Sequence, residues 1–128
     1  MASEARTELD ATPASASTAR AFVRDLLAAW DCDTEEDVAV LLTTELVSNA
    51  VRHAATRLAL DVRRGDDDVV RVEVRDGDVR LPELRRPDVD ATGGRGLVLV
   101  DALARRWGAE ADGHGKVVWF ELGQRPYS

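Results

Sequence analysis

Residues 58–74, LALDVRRGDDDVVRVEV, decide the architecture of this chain. Leu58, Leu60 and Val62, and then Val70, Val72 and Val74, recur with a period of two, which puts the apolar side chains of each segment on one face. Between the two runs stand Gly65 and the three aspartates Asp66, Asp67 and Asp68. Strands over 57–63 and 69–75 are too close for a parallel crossover, which needs about a dozen residues or more and usually a helix. The segment therefore reads as an antiparallel hairpin, and a doubly wound parallel fold fits it poorly.

Upstream, residues 38–54, VAVLLTTELVSNAVRHA, carry a helical pattern. Glu45, Asn49 and His53 follow one another at i, i+4 steps and form a single row at about 100° per residue. Val38 and Leu41 lie to one side of that row and Leu42 and Leu46 to the other, so three polar groups emerge from a face that otherwise wants burial. An unpaired carboxylate is costly to bury, and the row is expected to meet a polar ligand, a metal or water in a cavity; the bland alternative is that it skirts a rim. Thr34 and Asp37 form a capping-box pattern before this helix, and the acids of 31–37 suit its dipole. An earlier helix is expected over 17–30, with Ala19, Phe22, Val23, Leu26 and Trp30 as its core face and Ser15 or Ser17 as its cap. A short strand is expected near Thr7–Leu9, with residues 1–6 disordered.

Downstream, Asp76 and Gly77 open a stretch to Arg95 with little periodicity, longer than the roughly 12–15 residues usual for a connector and hence a candidate lid or binding loop. It ends in Gly93, Gly94, Arg95 and Gly96. Leu97, Val100, Leu103 and Trp107 then recur at helical spacing until Gly108. A short strand over 109–111, a turn at 112–115 and the strand KVVWFEL over 116–122 close the chain. The order β, α, α, β, β, loop, α, β, β suits a single domain over residues 1–128. Its expected architecture is a two-layer α/β sandwich, with a mixed, largely antiparallel sheet covered on one face by three helices.

Composition narrows the function. The chain has 128 residues, 45% of them apolar, with a formal net charge of −7. That charge gives no basic field for nucleic acid or an anionic membrane. No apolar run approaches the roughly 20 residues of a membrane span, Cys32 stands alone, and no signal-peptide core opens the chain, all of which point to the cytoplasm. Sixteen of the 17 basic residues are Arg, which fits a GC-rich genome better than a chemical role.

Three constellations can carry chemistry. A carboxylate and a carboxamide one helical turn apart, Glu45 and Asn49, can hold a hard cation such as Mg2+ whose remaining shell comes from phosphates and water. Glu45 can alternatively act as a general base in phosphoryl transfer, with Arg52 or His53 on phosphate oxygens. The glycine cluster before the last helix can cradle a phosphate on backbone amides, although glycine also ends loops for conformational reasons alone. Asp76 at a strand end can accept a hydrogen bond from an exocyclic amine, although AspGly is also a common turn pair. There is no P-loop and no GxGxxG after a strand, and neither a Cys/His metal centre nor a nucleophile elbow.

With Glu45xxxAsn49, Asp76Gly77 and Gly93GlyArgGly96 in that order, the chain resembles the GHKL, or Bergerat-fold, ATP-binding domain over roughly residues 5–123, and within it the anti-sigma-factor serine/threonine-kinase type. ELVSNAVRHA is similar to the family's N box, ValArgAspGly to its first glycine box, GGRGLVLVDALARRWG to its second, and GKVVWFEL to its closing strand. The resemblance implies ATP and Mg2+ as cofactors, with Glu45 as catalytic base, Asn49 as metal ligand and Asp76 as adenine reader. Gly77 would begin an ATP lid over 77–95, while Arg52, His53 and the backbone of Gly94, Arg95, Gly96 and Leu97 would surround the phosphates. It also implies a sigma factor or a STAS-type anti-sigma-factor antagonist as partner, and a homodimer. The chain departs from the family's DxGxG at Asp78 and Arg80 and from its closing-strand Thr at Val117. Losing one or two such contacts would weaken ATP binding about tenfold to a hundredfold. Three functions stay open: a protein kinase that phosphorylates the antagonist, a non-catalytic partner-binding module with weak or absent ATP binding and, ranked last, a purely structural adaptor with an inert polar row.

Overall fold

The expected hairpin forms the middle of the sheet. In the computed structural model, which describes residues 3–32, 35–54, 56–78 and 95–123, β2 (Leu58–Arg64) and β3 (Val70–Asp76) pair antiparallel, with Leu60 opposite Val74 and Val62 opposite Val72. β1 (Ser3–Leu9) lies against the outer edge of β2, and β5 (Lys116–Leu122) joins β3 to β4 (Arg106–Ala111). The spatial order is β1-β2-β3-β5-β4, and every pairing is antiparallel. The sheet expected to be mixed is thus antiparallel throughout its described strands.

Three helices, α1 (Ser15–Ala29), α2 (Glu36–His53) and α3 (Arg95–Leu103), complete the domain. α2 is the central one, packing against α1, α3 and β3. The reason lies in its pattern: Ala39, Leu42, Thr43, Leu46, Val47 and Ala50 are all buried, a stripe wide enough to meet neighbours on several sides. Opposite it the sheet presents Leu60, Val62, Val72, Val74, Val118 and Phe120, all buried in one core with Val23, Leu27 and Val100 of the flanking helices. Alternation sends the charged residues of the same strands to the far face, where Arg63, Arg71, Glu73, Glu121 and Arg106 stand in cross-strand rows.

Three local expectations are corrected. β1 begins at Ser3, so residues 3–6, expected to be disordered, pair with Arg64 to Asp61 of β2. α1 starts at Ser15, which does not cap it; the Ser15 hydroxyl instead donates to the carbonyl of Asp10. Thr34 lies outside the described residues, and α2 is preceded by Glu35 with no side-chain cap. The third helix ends at Leu103 rather than near Gly108. The Arg105 amide already donates to Glu121 O at 2.8 Å, and Trp107 and Gly108 belong to β4. Trp107 continued the helical spacing by coincidence. It packs on the core from the strand, its indole N–H donating to Asp101 at 2.9 Å.

Candidate functional site

The polar row lies where the buried stripe of α2 gives way to its open flank. Leu42 and Leu46, on one side of it, are buried, while Leu41, on the other, is 40% exposed. Glu45 and Asn49 are half-buried and His53 is exposed in the last turn. The row therefore occupies a rim of the described structure rather than an enclosed core. Among the described residues, no side chain bonds to Glu45, Asn49 or His53. Two half-buried oxygen-bearing groups one turn apart, unused by the fold, fit a hard cation or a phosphate-bound water. No group of three or more His, Cys, Asp or Glu among the described residues could hold a metal by itself, so a cation here would need most of its shell from a ligand and water. Arg52 is exposed and turns toward the start of α1, lining a cleft of about 310 Å³ with Pro13, Ala16, Ser48 and Val51.

Asp76, the last residue of β3, faces the helices and is almost wholly enclosed, its side chain 1% exposed. Its carboxylate is held on several sides. The Lys116 ammonium, across the strand pair, lies 3.1 Å from each oxygen. The backbone amide of Asp78 donates to Oδ1 at 2.8 Å. Lys116 also donates to the Asp78 carbonyl at 3.3 Å. The Gly77 amide is held as well, donating to the Thr56 hydroxyl at 2.9 Å, and a Cβ on Gly77 would press on Thr56 Cγ2 at the same distance. Lys116 and Thr56 were not singled out from sequence. Each is a single polar residue on a strand or loop whose partner lies about twenty to forty positions away, and only the register of β3 and β5 joins Lys116 to Asp76.

The helix after the glycine cluster begins at Arg95. Leu97 is buried in the core, so only its backbone remains for a ligand. Gly94 and the lid segment 79–94, with Val79 and Arg80, lie outside the described residues. Val117 is half-buried at the start of β5 and pairs with Arg75.

On the far face of the sheet a second charged cluster has a structural explanation. Glu121 binds Arg71 at 2.9 Å and Arg106 at 2.8 Å. Burial pushes the Glu121 carboxyl up, but the Arg106 and Arg71 guanidinium groups outweigh it and hold the acid below its ordinary range. Arg71 stacks on Trp119, 3.9 Å from the ring centroid, and Trp119 lies so close over Gly108 that a Cβ there would be 2.8 Å from the indole. Asp61, buried beside Glu73, shifts the opposite way: desolvation raises it more than Arg6 lowers it.

Comparison with known proteins adds a family and a fold. The family model described as histidine kinase-like ATPase domain matches residues 9–122. No curated protein matches the chain in sequence. Among solved structures, the RsbU and RsbW domains of Rv1364c from Mycobacterium tuberculosis are similar in fold, with a TM-score of 0.70 and 22% identity. The match covers 94% of this chain and 32% of that one, so this chain spans about a third of its length. No helix among the described residues is long and apolar enough to cross a membrane.

Proposed function

The chain belongs to the histidine kinase-like ATPase domain family, and we propose that it is an ATP-dependent protein serine/threonine kinase, an anti-sigma-factor-like switch that phosphorylates a STAS-type antagonist. The observation that carries this reading is the half-buried pair Glu45 and Asn49, one turn apart on the central helix and unused by the fold. Family membership implies an ATP site. The resemblance of the sequence boxes to the anti-sigma-factor kinase type supports the choice of reaction. A sigma factor is the alternative partner, and a homodimer fits the same resemblance.

In this reading Asn49 would hold a Mg2+ bound with the nucleotide through its amide oxygen, and the ion would supply charge neutralisation at the phosphates. Glu45 orients the antagonist's Ser or Thr hydroxyl and accepts its proton. The hydroxyl oxygen forms a bond to the γ-phosphorus while the bond from that phosphorus to the bridging oxygen of ADP breaks. His53 and the α3 amino terminus add donors for phosphate oxygens. The experiment is transfer of labelled phosphate from Mg-ATP to a cognate STAS-type protein. Native protein is expected to transfer and Glu45→Gln to bind ATP without transferring; absence of transfer by the native protein overturns the kinase reading.

A second reading is favoured by one observation. The groups that would read the base are already engaged, Asp76 by Lys116 and the Gly77 amide by Thr56. A partner-binding module with little need of nucleotide fits that arrangement. Calorimetry separates the two, since submillimolar affinity for Mg-ATP is incompatible with a module indifferent to nucleotide.

A further inference from the structure

The sheet has two outer edges that pair with no other strand among the described residues, one on β1 and one on β4. An edge of this kind is a template for a further strand, and the two differ in what a second copy of this chain would meet there. Identical strands that pair antiparallel about a two-fold axis place their residues symmetrically about one central residue. Centred on Arg6, the register that pairs the whole of β1, Glu4 falls against Glu8 and Arg6 against its own copy. β4 behaves in the opposite way.

The sequence of β4 is RWGAEA. Centred on Gly108, the same operation sets Arg106 against Glu110 of the second copy, Glu110 against Arg106 of the second copy, and Trp107 against the small Ala109. Arg106, Gly108 and Glu110 lie in register with Glu121, Trp119 and Val117, and so share the face of the sheet away from the helices. Their charges are available for a partner. Glu110 is exposed and makes no ion pair among the described residues. Arg106 directs Nε and one terminal nitrogen to Glu121, yet its side chain is 65% exposed, and a guanidinium carries five donors. At the centre of the strand Gly108 presents no side chain of its own, because the Trp119 indole fills the place a Cβ would take. Apolar surface lies beside the same edge: Leu103, 44% exposed, ends α3 three residues before β4 begins.

We propose that the free edge of β4 is a self-association surface, on which a second copy of this chain pairs antiparallel about Gly108 and continues the sheet. Opposite charges directly across an antiparallel pair stabilise it and like charges destabilise it, and the two-fold axis makes the favourable pair twice. The assembly closes at two copies, since each β4 edge is then occupied and the outer strands that remain are the two copies of β1. This surface rests on the homodimer reading above and is independent of nucleotide binding.

Sedimentation of the native chain over a concentration series is expected to show the 14.0 kDa species converting to one of twice that mass and to none larger. Glu110→Arg, at an exposed position without an internal ion pair, is expected to leave the thermal midpoint unchanged and to raise the dissociation constant about tenfold or more, because both symmetric pairs turn from attraction to repulsion. Amide hydrogen exchange needs no variant: as the native chain is concentrated, amides within 106–111 are expected to slow while those within 3–9 keep their rates. A dimer whose constant is unchanged by Glu110→Arg, or whose β4 amides keep their rates, overturns the surface and leaves the homodimer reading standing. Growth beyond two copies overturns the closed two-fold pairing. A native chain that stays at 14.0 kDa at every concentration overturns both the surface and the homodimer, and leaves the nucleotide reading untouched.

Discussion

A Cβ placed on Gly115 would stand 2.0 Å from the carbonyl oxygen of Asp76. The chain entering β5 runs across the end of β3 at a separation that only glycine allows, and this approach delivers Lys116 to the Asp76 carboxylate. Gly115→Ala must push the two strand ends apart, and a loss of about 1–3 kcal/mol is expected, in the range of an overpacked core. The urea midpoint of the purified variant checks it. Gly113, two residues earlier, has φ +87° and open space around it. Gly113→Ala therefore carries only a conformational cost, about 1–2 kcal/mol, and should leave the contact between Lys116 and Asp76 in place.

Asn49 separates fold from function. Its amide is half-buried and makes no hydrogen bond among the described residues, so Asn49→Ala should leave thermal stability within about 0.5 kcal/mol of native. If it holds the cation, the same change lowers Mg-ATP affinity about tenfold or more and removes the dependence of that affinity on Mg2+. Calorimetry with and without the metal reads both. An unchanged Mg2+ dependence excludes Asn49 as the ligand.

The charged face of the sheet predicts a pH dependence of stability. Glu121 is held below its ordinary value of 4.5 in the folded protein. Its contribution is therefore complete above that value and is lost as pH falls through the lower, folded one. Glu121→Gln should cost about 1 kcal/mol near neutrality and flatten the acid limb of the stability curve. Asp61 has the opposite sign. Its folded value is raised by burial, so its contribution is present below the ordinary value of 3.8 and is lost as pH rises through the folded one. Asp61→Asn should then be at least as stable as native near neutrality and relatively less stable in acid. Thermal melts across pH 3 to 8 test both.

The hairpin, the central helix and β5 were legible because each has a buried face with a clear period. β1 was partly hidden: in SEARTEL only Leu9 is buried, and an edge strand with one solvated face needs little apolar content. Gly108 was misread as a helix stop because a glycine says only that a side chain is unwanted. Here the reason is the indole of Trp119 across the strand pair. At the site the row on α2 could be read from its spacing, since all its members share one helix. The Lys116 contact could not, since it depends on the register between strands forty residues apart. Arg52 and His53, placed on phosphates by their chemistry and by the resemblance, are exposed at the end of α2, where Arg52 lines the cleft beside the start of α1.

The composition of β1 also bears on how the protein behaves at high concentration. As the terminal strand of the sheet it carries a row of backbone amides and carbonyls that pairs with no other strand among the described residues. It presents that row between exposed Glu4, Arg6 and Glu8, with Arg6 drawn toward Asp61 at 3.8 Å. A second copy adding in register would bring like charges together and strip them of water. The same charged residues that obscured the strand in the sequence keep its free edge from templating aggregation.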